Sequence, residues 1–297
     1  MKIIKINSNE ENFPFMLKEI EDKPSQIFIS GDISKLQKPC IAFVGTRNPT
    51  AYGIYCCRKI IEEIAMIADI CIVSGLALGI DTIAHKSAIE FGLSTIAVLG
   101  SGINNIYPRS NLDLAKEITK NGLLISEYEN AEGVKKYHFP QRNRIISGLS
   151  HACIAIEAPE KSGTLITMNY AVNQNRLSLC VVGDIDRAGS AGCLKLVQKG
   201  CAYPVSSGKE VIDYIRENSF LFNEKNIENK NISKKEIVVL EDGFENEVYS
   251  ALSFTRGLSL SEICKKTGIN TSNILSIISL LEIKGIVYAK TGKFYKK

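Results

Sequence analysis

IAFVG (41–45), IYCCRKIIEEIAMIA (54–68) and ICIVSG (70–75) follow one another along the chain, and their succession decides the fold. A short run apolar at every position suits a strand buried on both faces. A stretch of helical length with charges on one side suits a covering helix. The unit is therefore β-α-β, and the same alternation continues downstream. The pattern predicts helix 82–92, strand 94–100, helix 112–122, strand 123–128, strand 152–158, helix 164–175, strand 177–183 and a last helix at 211–217. Such an order makes a doubly wound, mostly parallel α/β sheet of Rossmann type.

Working outward from that core, residues 1–39 form an N-terminal extension whose segment IFISGD (27–32) suits an edge strand or strap. The Rossmann-like domain is expected over 40–218. Beyond it, FNEKNIENKNISKKE (222–236) is dense in Asn, Lys and Glu, which marks a linker over 219–240. Three helical patterns (244–254, 259–269 and 270–285) and a hairpin around a Thr-Gly turn then predict a small winged-helix domain over 241–297.

Composition narrows the function. The chain has 297 residues and a formal net charge of only +4, so a nucleic-acid site would have to be a local concentration of cations. Nine cysteines lie mostly in apolar runs with no Cys-x-x-Cys pair, which suits a reducing cytoplasm and gives no metal site. No apolar run reaches the length of a membrane span.

In open α/β sheets ligands bind beyond the carboxyl ends of the strands. There the chain carries Gly45-Thr46-Arg47, the run SGLALGID (74–81) leading to His85 and Lys86, the loop GSGINNIYPRSN (100–111), and EAPEKSGT (157–164). The loop DIDRAGSAG (184–192) follows the last predicted strand. Neither a G-x-G-x-x-G fingerprint nor a P-loop lysine is present. Asp81 is expected to cap a helix and His85 to pack, whereas Ser162, Gly163 and Thr164 fall at a helix N-terminus suited to an anion. FPQRNRIISGLS (139–150) sets Arg142, Asn143 and Arg144 just after a Phe-Pro pair, the usual approach to a first helical turn. Together these loops describe a phosphate-lined groove.

In this order, IAFVGTR, SGLALGIDTIAHKSAI, GSGINNIYPRSN, ISEY, FPQRNRIISGLS and EAPEKSGTLITMNYA resemble the DNA-processing protein A (DprA/Smf) family over about residues 24–215. The resemblance implies an extended Rossmann fold that binds single-stranded DNA, forms a homodimer and helps load RecA during natural transformation, with no enzymatic activity and no cofactor. It places DNA contacts at Arg47, Lys86, Phe139, Arg142, Asn143, Arg144, Ser162 and Gly163, to which the strand-end loops add Gly45, Thr46 and Thr164. Phe139 would either stack on a base or brace the helix entry. Two positions depart from the family pattern: Leu78 stands where an arginine is usual and Cys193 where an asparagine is usual.

Two other functions compete. A nucleotide or nucleoside hydrolase could use Glu157, although the chain lacks the Pro-Gly-Gly-x-Gly-Thr signature and shows no paired carboxylates or nucleophile–base pair. A winged-helix transcription regulator would need basic or amide side chains on its third helix. That helix offers Ser, Ile and Leu with one terminal lysine, in a domain of eight Lys or Arg and six acids.

Overall fold

The structure, a computed structural model, describes residues 2–218, 243–252, 257–290 and 292–296. The chain divides into two compact units, 1–231 and 232–297. The predicted linker 219–240 lies outside the described residues.

In the first unit the elements run β1 (Ile4–Asn7), α1 (Phe15–Lys18), β2 (Gln26–Gly31), β3 (Cys40–Val44), α2 (Ala51–Ile67), β4 (Cys71–Ser74), α3 (Ile80–Glu90), β5 (Ser94–Leu99) and α4 (Leu112–Asn121). They continue as β6 (Leu123–Ser126), α5 (His138–Gly148), β7 (Ala152–Ala155), α6 (Gly163–Asn173), β8 (Leu177–Val181), α7 (Ala191–Gln198), β9 (Tyr203–Val205) and α8 (Gly208–Asn218). Among the described residues nine strands form one sheet, ordered β1-β2-β6-β5-β4-β3-β7-β8-β9. From β6 to β9 all neighbours are parallel.

Side chains of a strand alternate between faces, and β3 shows how this builds two cores. Cys40, Ala42 and Val44 pack with Ile145 and Ile146 of α5 and Met168 of α6. Ile41 and Phe43 pack on the other face with Ile60 and Ile61 of α2, Ala84 of α3 and Val211 of α8. Both faces being covered, the sheet is doubly wound. From β3 the chain winds one way through β4, β5 and β6, and from β7 it winds the other way through β8 and β9. The adjacent pair β3 and β7 is therefore the switch point, where loops leave the sheet in opposite directions and open a crevice.

Three sequence expectations need correction. The segment 27–32 is not an edge: β2 pairs antiparallel with β1 on one side and β6 on the other, so the first forty residues extend the main sheet. Asp81 does not cap α3, whose cap is Gly79; its carboxylate turns back to accept N–H groups of Gly75 and Ala77 at 3.1 and 3.3 Å. Gly79, at φ +78°, brings this loop against the Thr46 carbonyl, where a Cβ would lie 2.3 Å from the oxygen. Finally, α5 begins at His138, so Pro140 lies inside its first turn and Arg142, Asn143 and Arg144 occupy the second.

In the second unit, α9 (Gly243–Ala251), α10 (Leu260–Thr267) and α11 (Thr271–Ile283) precede the hairpin β10 (Val287–Lys290) and β11 (Lys293–Lys296), in the order the sequence predicts. Val248, Leu252, Ile263, Ile274, Ile278 and Leu281 form its core. A capping box between Ser259 and Glu262 starts α10, and Gly268 at φ 71° ends it.

Candidate functional site

A cleft of about 690 Å³ opens at the switch point. The loop after β3 supplies Gly45, Thr46 and Arg47, the loop after β5 supplies Tyr107, the approach to α5 supplies Lys136, and the first two turns of α5 supply Phe139 and Asn143. The loop from β7 to α6 contributes Pro159, Lys161, Ser162, Gly163 and Thr164. The peptide N–H of Thr46 donates to Glu157 O at 2.7 Å, tying the two switch-point loops together, while Ile80 N–H donates to Thr46 O at 3.1 Å. Ser162 caps α6 by accepting from Thr164 N–H at 3.2 Å. Leu165 N–H donates back to Ser162 O at 3.1 Å, which leaves the Gly163 N–H at the positive end of the helix, a place that favours an anion.

Nine of the eleven residues named from the sequence line this cleft, and two do not: Lys86, exposed on α3, and Arg144. Arg144 is only 6 % exposed, with Nε 3.0 Å from Asp22 and Nη2 2.7 Å from Glu127. Burial alone would depress its pKa, but the hydrogen bonds and charges of Glu127 and Asp22 raise it. Its charge is spent on those carboxylates.

Arg142 forms the cleft floor. It is 4 % exposed and Nη1 donates to Gly75 O at 2.6 Å and to Val98 O, while Nε donates to Asn143 Oδ1 at 3.2 Å. A Cβ at Gly75 would meet the guanidinium at 2.5 Å, so any other residue there would have to displace Arg142. Burial pushes the Arg142 pKa down to about 10 against the pull of Asp81, so it remains a cation at neutral pH. His85 is buried beside this cluster, its Nδ1 2.7 Å from Thr95 Oγ1, and burial holds it neutral with a pKa lowered to about 3.

The rim is different. Arg47, Lys136 and Lys161 are exposed and make no ion pair among the described residues. Arg47 lies over the Phe139 ring at 5.8 Å, and Phe139 lies 5.7 Å from the ring of Tyr107. Lys136, Lys161 and Tyr107 were not named from the sequence. Their signal was adjacency: Lys136 is three residues before Phe139, Lys161 precedes Ser162, and Tyr107 sits inside a loop already marked as polar. Leu78 is 49 % exposed outside the cleft lining, and Cys193 is fully buried with Sγ 3.8 Å from Ala155 O. The loop 184–192 does not line the cleft either; its Arg187 pairs with Asp184 at 2.9 Å.

Glu157 is 2 % exposed, and its two oxygens accept Thr50 N–H at 2.9 Å and Thr50 O–H at 2.7 Å. It faces the start of α2 rather than the cleft, and Gly53 and Gly189 crowd it. Hydrogen bonds to a buried charge are worth more than neutral ones, so Glu157→Ala is expected to cost roughly 1.5–3 kcal/mol, read as a lowered urea midpoint. Among the described residues no group of His, Cys, Asp and Glu could hold a metal ion. All nine cysteines are free thiols, and no described helix is long and apolar enough to cross a membrane.

Comparison with known proteins agrees with the fold. The chain is 40% identical over 217 residues to DNA processing protein DprA of Bacillus subtilis, covering 73% of this chain and 72% of that one. It is 36% identical over 212 residues to protein Smf of Escherichia coli, covering 71% and 56%. The X-ray structure of DprA from Streptococcus pneumoniae superposes with a TM-score of 0.69 at 39% identity, over 71% of this chain and 74% of that chain. DNA processing protein A from Helicobacter pylori, described for its single-stranded DNA binding mode, superposes with a TM-score of 0.64 at 29% identity, over 73% and 96%. With residues 4–216 also matching the model of DNA recombination-mediator protein A, the chain belongs to that family, the one also known as DprA or Smf.

Proposed function

We propose that the cleft binds single-stranded DNA with little regard to sequence. The observation that carries this reading is the cleft lining, where exposed Arg47, Lys136 and Lys161 occur together with the aromatic rings of Phe139 and Tyr107. Cations that track phosphates plus flat rings that stack on bases are the chemistry of single-strand binding. The Helicobacter pylori relative, described as a single-stranded DNA binder, supports it. By the same family logic the protein acts as a homodimer in the cytoplasm and helps load RecA onto incoming DNA in natural transformation, without catalysing a reaction itself. The winged-helix reading of the second unit assigns it to protein contact or autoregulation, because Lys284 at the end of α11 is held by Glu245 at 2.9 Å.

Glu157 bears on the hydrolase reading. Its oxygens accept from Thr50 and it is not among the residues that line the cleft, which weighs against a catalytic role. The test is direct. Fluorescence anisotropy is expected to show tighter binding to a single-stranded oligonucleotide than to the duplex of the same sequence, with no base released from nucleoside monophosphates. Release of base that disappears in Glu157→Gln would replace this proposal with the hydrolase.

A further inference from the structure

Tyr107 is an aromatic residue left half exposed on a backbone pinned at both sides. Before it, Ser101 Oγ donates to Asn105 O at 2.6 Å, the Asn105 side-chain amide donates to Ala131 O at 2.8 Å, and Gly102 N–H donates to Glu132 O at 3.0 Å. After it, the Asn111 amide donates to Leu76 O at 2.9 Å and to Thr82 Oγ1 at 2.8 Å. The ring between these anchors is 50 % exposed, and its hydroxyl makes no hydrogen bond among the described residues. A ring held out in this way contributes little to the core.

Its neighbour is Phe139, whose ring rests on Gly100: a Cβ there would sit 3.0 Å from the phenyl. The two ring centroids are 5.7 Å apart and the planes are inclined by 51°. Stacked bases in a duplex strand are parallel and about 3.4 Å apart. They cannot lie flat on both rings. Bases of a flexible unpaired strand can be splayed, each onto its own ring.

Resting on the single-strand reading above, we infer that Tyr107 is a second base-stacking platform, which with Phe139 receives two successive unpaired bases and disfavours a duplex. Arg47, over the Phe139 ring at 5.8 Å, and Lys161, on the same cleft lining, are the phosphate contacts, so the stacking of Tyr107 can be tested without removing a charge.

The experiment uses the full chain and a short oligothymidylate at fixed salt, together with an abasic strand of the same length. Tyr107→Ala is expected to weaken binding to the oligothymidylate about tenfold, from the loss of one stacked base. The dependence of affinity on salt should stay as in wild type, because no phosphate contact is removed. Tyr107→Phe should keep wild-type affinity, and the abasic strand should bind wild type and Tyr107→Ala alike. Unchanged affinity in a folded Tyr107→Ala protein overturns the inference, as does an equal loss on the abasic strand or a flattened salt dependence. If the wild-type protein binds no oligonucleotide at all, the single-strand reading itself fails and this inference with it.

Discussion

Replacing Arg142 with methionine is expected to destabilise the first unit by about 3–5 kcal/mol, the loss that follows when one member of a buried charge cluster is removed. The guanidinium holds Gly75 O and Val98 O, on two neighbouring strand ends, and lies close enough to Asp81 to lower that carboxyl's pKa. Methionine refills much of the stem but brings no donor. Both carbonyls would lose a buried partner, and Asp81 would keep its peptide N–H bonds without a cation. Lysine would restore the charge without the planar fork that spans two carbonyls.

A dependence on pH identifies Asp81 as the partner. Burial already holds its pKa above the ordinary 3.8, with Arg142 acting in the opposite sense. Without the arginine it rises further. A carboxyl whose folded pKa lies above its unfolded value lends stability while protonated and loses it as pH rises through the folded pKa. The deficit of Arg142→Met should therefore be greatest at neutral pH and should narrow as pH falls toward the ordinary carboxylate range. Urea midpoints across that window measure it, and a constant deficit would remove Asp81 from the account.

Arg142 also shows where the sequence stops speaking. The β-α-β order was legible because strand and helix periods differ, and the loops that form the cleft were found by counting strand ends. Burial of a charge was not legible. Arg142 and Arg144 look alike in FPQRNR, yet one is fixed by the carbonyls of residues 75 and 98 and the other by the acids at 22 and 127. Those partners are remote in the chain and carry no spacing pattern. Asp at a helix start is usually a cap, and only the backward turn of the loop at Gly79 gives Asp81 another task. The antiparallel pairing of β1 and β2 was hidden for a related reason, since short strands near a terminus pair according to which edge the sheet leaves open.

Replacing Arg47, Lys136 and Lys161 together with alanine is expected to lower affinity for single-stranded DNA about a hundredfold at about 0.1 M salt. Each phosphate contact to a single strand adds about 0.7 to the slope of log affinity against log salt, so three contacts contribute salt raised to a power of about −2. With Arg142 on the cleft floor, the wild-type slope is expected near −3 and that of the triple variant near −1. The three side chains are exposed and make no ion pair among the described residues, so their removal should leave the urea midpoint close to wild type. Arg144→Ala is the contrasting control: it strips a cation from Asp22 and Glu127, which lowers stability and leaves the slope of the folded protein unchanged. Lys86→Ala reports the path of the strand, because Lys86 is exposed on α3 beyond the cleft lining and flattens the slope only if the DNA continues across that helix. A folded triple variant with the wild-type slope would place the phosphates elsewhere and dissolve the cleft as the binding site.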